Sequence, residues 1–149
     1  MMHLLPPKPN DFFIPVRVYY EDTDAGGVVY YANYLKFFER CRTEWLRATG
    51  YQQADLLLDP GIVFMVRSVN IEYRKPARLD DLLRVSLKVE KISRVQIFFR
   101  QHVLRAHPLL ENTWEELVSG TIQIVCVNSA LLKSTPIPEF LRSRLENLQ

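Results

Sequence analysis

The chain has 149 residues, 48% of them hydrophobic, and a formal net charge of +2. That length suits one domain with a sizeable core, and the near-neutral balance gives no bulk attraction to nucleic acid or a membrane surface. No apolar run approaches the roughly 20 residues needed to cross a bilayer, so a cytoplasmic protein without a transmembrane segment is expected.

The opening stretch, MMHLLPPKPNDFF, lacks the basic start and apolar core of a signal peptide. Residues 1–11 read as a flexible tail and 12–149 as a single domain. From Phe12 to Tyr20 the chain is aromatic and β-branched, a strand signal in which Pro15 marks an edge or bulge. Glu21 to Gly27 is acidic and small, which is loop chemistry. Tyr34, Phe37, Phe38, Cys41 and Trp45 then recur at three- and four-residue steps, predicting a helix from near Ala32 to Thr49 with Gly50 as its C-terminal cap.

Four strands in mostly hairpin-like succession are predicted beyond the helix, over Ile62–Arg74, Leu83–Val89, Val95–Leu104 and Leu117–Val127. A turn at Ser93-Arg94 makes the second and third of these a hairpin. Pro136 and Pro138 introduce a short C-terminal helix. A single apolar helix needs a surface to lie on, and one antiparallel sheet of five strands supplies it. The expected class is therefore α+β, a long central helix wrapped by a five-stranded antiparallel sheet: the hotdog fold. Such a sheet leaves strand edges uncovered, so a homo-oligomer is expected. Cys41 and Cys126 are far apart in apolar surroundings and read as two buried free thiols, with no metal-ligand spacing around either.

The segment Tyr19-Tyr20-Glu21-Asp22-Thr23-Asp24-Ala25-Gly26-Gly27-Val28-Val29-Tyr30-Tyr31 carries the chemistry. It puts two carboxylates on a tight loop ahead of a helix N-terminus, where unpaired N–H groups and the helix dipole favour negative charge. A thioester carbonyl set against those groups is polarised, and a carboxylate on the same loop can attack it or activate a water. Gly26 and Gly27 let the backbone approach a ligand closely. On spacing alone, a plain helix cap and a plain glycine turn explain the same residues more simply.

The run YYEDTDAGGVVYYANYLKFFERCRTEWL resembles the opening motif of the 4-hydroxybenzoyl-CoA thioesterase superfamily, and within it the Tol-Pal-associated acyl-CoA thioesterase (YbgC-type) branch. The likeness continues through VNIEYRKPARLDDLLRV to VCVN. It implies hydrolysis of acyl-CoA to free acid and CoA with no metal or organic cofactor. Asp24 matches the catalytic carboxylate, as nucleophile or general base. The Tyr31 N–H, in the first helical turn, matches the group that polarises the carbonyl. Asp22 and Thr23 hold the loop, while Gly26, Gly27, Val28 and Tyr30 face the substrate. Many members of the branch carry His where this chain has Tyr31, which shifts the mechanistic weight onto Asp24 and the helix dipole.

By the same resemblance the hairpin tip with Lys91, Ser93 and Arg94 meets the nucleotide part of CoA. The likeness also implies a homodimer with a continuous sheet and sites at the interface, commonly paired into a homotetramer. Arg74, Lys75 and Arg78 form a second basic cluster. Glu39 is the runner-up acid on the helix, with a salt bridge as its simpler role. Met65, Val66 and the helix aromatics serve an acyl pocket or the core equally well. His3, His102 and His107 show no partner spacing, and the Gly-x-Ser-x-Gly of serine hydrolases is absent. A hotdog dehydratase and a binding module for acyl-CoA or acyl-carrier protein, without turnover, are the alternatives; an acyl-carrier protein is the other carrier for the thioester.

Overall fold

A computed structural model describes residues 11–147; of the tail expected over 1–11, all but Asp11 lies outside them. The elements are β1 (Phe12–Arg17), α1 (Asn33–Ala48), α2 (Gln53–Leu58), β2 (Ile62–Tyr73), β3 (Leu82–Ile92), β4 (Gln96–Ala106), β5 (Trp114–Asn128) and α3 (Glu139–Glu146). The strands form one antiparallel sheet in the order β1-β3-β4-β5-β2, with α1 lying across one face. This is the hotdog arrangement.

The predicted stripe on α1 is the face that turns inward. Tyr34, Phe37, Phe38, Cys41 and Trp45 are each no more than 5% exposed. They meet every second residue of the sheet: Leu83, Val85 and Leu87 of β3, and Ile97, Phe99 and Val103 of β4, are all buried. Each large side chain so buried contributes about 1.5–3 kcal/mol. Gly120 of β5 sets the closeness of the helix. A Cβ there would stand 3.0 Å from Phe38 Cε2, 3.3 Å from Asn70 O and 3.3 Å from Ile71 Cγ1.

The structure corrects three local expectations. β1 stops at Arg17, short of the expected Tyr20, and Tyr20 joins the first two residues of the expected loop in a 3-10 turn over Tyr20–Asp22. The six-residue α2 falls in a segment for which no helix was expected, being short and lacking a side-chain cap. β2 is not a hairpin partner of β3; it crosses to the far edge and pairs with β5. At the other end of α1, Gly50 takes φ +102° just past Thr49, the left-handed conformation that ends the helix. Cys41 and Cys126 are free and buried, and burial pushes their thiols up to about 12 and about 11.

One end of the sheet, where β1, β2 and β4 finish, is braced by ion pairs. Arg105 donates from Nε and Nη2 to Glu115 Oε1 at 2.8 and 2.7 Å, and from Nη1 to Asp81 Oδ2 at 2.8 Å and to Pro76 O at 3.2 Å. Lys75 Nζ adds a contact to Glu115 Oε2 at 3.1 Å. The hydrogen bonds from Arg105, then those from Lys75, hold the Glu115 carboxyl below its ordinary 4.5.

Gly120→Ala is expected to cost about 1–3 kcal/mol, read as a lower urea midpoint at an unchanged m-value. An unchanged midpoint would show that α1 steps back freely. Because the folded pKa of Glu115 is depressed, its contribution is fully present above the unfolded value near 4.5 and fades as pH falls through the folded one. Glu115→Gln should therefore lower the melting temperature at pH 7 and converge on the wild type at pH 3. A gap independent of pH would refute this.

Candidate active site

Asp22 ties the acidic loop to α1. It is 5% exposed, and its carboxylate accepts Tyr19 N–H at Oδ2 and Asn33 Nδ2 at Oδ1, both at 2.8 Å. Its backbone carbonyl accepts Tyr30 N–H at 2.9 Å. Neutral donors thus satisfy a buried charge at the first residue of the helix. The role expected for Asp22, holding the loop, is what its contacts describe.

Between Asp22 and Tyr30 the chain makes a small hairpin. Thr23 bridges Val29, Asp24 N–H donates to Val28 O at 2.9 Å, and Gly27 N–H donates to Asp24 O at 3.0 Å. Gly27 takes φ +77°, a left-handed conformation that favours glycine. Gly26 N–H donates to Asp24 Oδ1 at 2.8 Å, and a Cβ on Gly26 would stand 3.2 Å from that oxygen. Both glycines therefore have a local reason in the turn itself, apart from any ligand. Asp24 is exposed at the turn, with Oδ1 engaged and Oδ2 without a partner among the described residues.

Tyr31 sits in the turn ahead of α1 and not in its first helical turn as expected; the N-cap is Ala32, whose side chain caps nothing. No acceptor among the described residues takes the Tyr31 N–H. Asn33 N–H is taken by Tyr30 O at 2.8 Å and Leu35 N–H by Ala32 O at 3.2 Å, so the Tyr31 N–H is left open beside the positive end of the helix dipole.

Beside it lies a cleft of about 260 Å³ walled by Val29, Tyr31, Tyr34, Tyr73, Arg74 and Lys75. Tyr73 Oη donates to Tyr31 O at 3.2 Å, and the Tyr73 ring meets those of Tyr31 and Tyr34 at centroid distances of 6.3 and 5.7 Å. Ala77 N–H donates to Tyr34 Oη at 3.1 Å. Burial pushes the phenols of Tyr34 and Tyr73 up, and a hydrogen bond with Tyr31 raises that of Tyr30. These three hydroxyls stay protonated at neutral pH and cannot act as bases there. Tyr34 was read among the helix aromatics, as acyl pocket or core, and Tyr73 as part of a strand; nothing in the spacing of Tyr73 marks it as a cleft wall.

The other expected residues are scattered. Asp24 does not itself line the cleft. Val28 bridges Arg78, and Tyr30 stacks on Tyr31 at 4.8 Å. Lys91, Ser93 and Arg94 lie at the far end of β3, about 30 Å along the strand from this site. There Lys91 stands over the Phe98 ring, Ser93 N–H donates to Gln96 O at 2.8 Å, and Arg94 O accepts Ile137 N–H at 3.0 Å. Within one chain these residues do not join the site.

Glu39 accepts Thr43 Oγ1 at 3.0 Å in place of the expected salt bridge, and borders a second cavity of about 120 Å³ with Arg42, Phe64 and Val66. Met65 and Val66 point to opposite faces of β2, so only Val66 reaches that cavity. His102, which showed no partner in the sequence, meets Glu116 through Nδ1. His107 Nδ1 accepts the N–H groups of Leu109 and Leu110, both at 3.1 Å.

The profile of the Thioesterase superfamily matches residues 26–111. The acyl-CoA thioesterase YbgC of Haemophilus influenzae is 40% identical over 140 residues, 94% of this chain and 98% of that one. The acyl-CoA thioester hydrolase YbgC of Escherichia coli O157:H7 is 42% identical over 125 residues, 84% of this chain and 88% of that one. Among solved structures, a probable thioesterase from Bartonella henselae superposes with a TM-score of 0.77 at 33% identity, over 85% of this chain and 98% of that one. A turn of two carboxylates and two glycines, set against an uncapped helix start, thus sits inside a relationship that runs nearly end to end, and the chain belongs to the Thioesterase superfamily.

Proposed function

We propose that the protein hydrolyses acyl-CoA thioesters to a free acid and CoA, with Asp24 and the Tyr31 N–H as its catalytic groups. The observation that carries this reading is the unpaired Tyr31 N–H at the cleft, at the start of a helix whose dipole favours an oxyanion. The thioester carbonyl oxygen takes that N–H. Asp24 then removes a proton from water as it attacks the carbonyl carbon, or attacks directly to give a mixed anhydride that water opens. In both routes the C–S bond breaks and the CoA sulfur leaves as the thiol. Burial keeps the Tyr34 and Tyr73 hydroxyls protonated, and Asp24 supplies a carboxylate as the fitting base.

The open edge of β2 supports a homo-oligomer. Met65, Val66 and Val69 are 48%, 50% and 40% exposed along a strand with one paired side. Antiparallel pairing of two β2 edges gives a homodimer with a continuous sheet. It also brings the Lys91–Arg94 tip of one copy toward the cleft end of the other, since the two lie at opposite ends of the sheet. Gly26, Gly27, Val28 and Tyr30 then face substrate from the acidic turn, and Lys91, Ser93 and Arg94 from the second copy meet the nucleotide part of CoA. Two such dimers make the homotetramer. We take 12–149 as one catalytic domain, and the two free thiols suit a reducing cytoplasm.

Thiol release should be measured from short, long and aromatic acyl-CoAs and from an acylated carrier protein, with wild type and Asp24→Asn. The variant is expected to lose about 10²–10⁴-fold in rate with folding intact. Binding without turnover in both proteins would replace the hydrolase by a binding module. Light scattering should give at least twice the monomer mass, and a monomeric peak would sink the shared-edge arrangement.

A further inference from the structure

On the sheet face turned away from α1, a polar row crosses four strands. Ser86 of β3 pairs with His102 of β4, His102 with Ser119 of β5, and Ser119 with Glu72 of β2. Ser86, His102 and Ser119 are 3%, 2% and 0% exposed, and both serine hydroxyls are buried without a partner among the described residues. Such groups weaken a fold. An apolar row would pack there at no such cost.

The row leads to the cleft. His102 Nδ1 meets Glu116 Oε1, and Glu116 Oε2 stands 3.1 Å from Arg74 Nε. Arg74 Nη2 in turn donates to Glu72 Oε2 at 3.0 Å. Arg74 also walls the cleft beside Tyr31 and Tyr73. A guanidinium presents five N–H donors in a rigid fork. Two of its nitrogens are fixed by carboxylates, Glu72 at the end of its own strand and Glu116 on β5, so the direction of the remaining Nη1 donors is set before any ligand arrives.

We infer that His102 and Glu116 are positioning residues, which hold Arg74 at the cleft mouth to receive the phosphate-bearing part of the thioester's carrier. The inference rests on the acyl-CoA reading above. Its sign separates it from bulk electrostatics. Removing a carboxylate near phosphates would by charge alone tighten binding, whereas freeing Arg74 from its guide loosens it.

The test compares an acyl-CoA with the same acyl group on N-acetylcysteamine, which carries no phosphate. Glu116→Gln should raise KM for acyl-CoA about fivefold, leave kcat unchanged and leave the N-acetylcysteamine thioester unaffected. Glu116→Asp should recover part of the loss. His102→Gln should act in the same direction, and serves alone if Glu116→Gln does not fold. A lowered KM, an unchanged KM, or equal changes on both substrates would overturn the assignment. If the wild type hydrolyses neither substrate, calorimetric binding of CoA decides the matter: weaker binding by Glu116→Gln upholds the positioning role and equal binding ends it.

Discussion

The packing of α1 on the sheet is the contact from which the other features take their positions. Its stripe is so large and so completely buried that the helix has one place to lie, with Phe38 over Gly120 and Trp45 against Phe99 at 5.3 Å. Two buried hydrogen bonds fix its rotation as well: Cys41 Sγ donates to Val85 O at 3.2 Å, and Gln101 Nε2 donates to Phe38 O at 3.1 Å. Once the helix is seated, its N-terminus stands at the end of the sheet where β1 finishes and β3 begins. The loop between β1 and α1 must close that gap, and Asp22 does so with three hydrogen bonds.

Asp22 and Asp24 show how two neighbouring carboxylates acquire different uses. Asp22 is buried, accepts at both oxygens and has no room for a substrate. Asp24 is exposed and keeps one oxygen open, while the other is held by Gly26 N–H. A single hydrogen bond aims the carboxylate without consuming it. The aromatic groups divide in a similar way, with Tyr34 anchored in the core by Ala77 and Tyr31 left on the surface.

Much of the fold was legible because period and burial coincide. Tyr34, Phe37, Phe38, Cys41 and Trp45 repeat at helical steps, and Leu83, Val85, Leu87 and Val89 at strand steps; all nine are buried. The order of strands was not legible, since the alternation of β2 is the same whether it pairs with β3 or β5. The 3-10 turn over Tyr20–Asp22 was missed because Tyr19 and Tyr20 carry a strand propensity that the Asp22 hydrogen bonds override. At the site, the acidic turn stood out as a run of unusual residues, whereas the cleft is assembled from Tyr31, Tyr34, Tyr73 and Arg74, which only the folded chain brings together. The contact between His102 and Glu116 was hidden for the same reason, since it spans two strands.

The distance between the acidic turn and the Lys91–Arg94 tip is the length of β3, whose faces alternate between the helix side and the outer side from Leu82 to Val89, up to a break in register between Val89 and Lys91. Inserting one residue in its regular part exchanges those faces, so that part changes length by pairs, in steps of about 7 Å, and the break between Val89 and Lys91 is where a single residue is absorbed. The span behaves as a ruler with coarse graduations. Loops at either end are free to vary gradually, while the reach from one end of the sheet to the other is inherited whole, which makes it the dimension of this protein least open to slow adjustment.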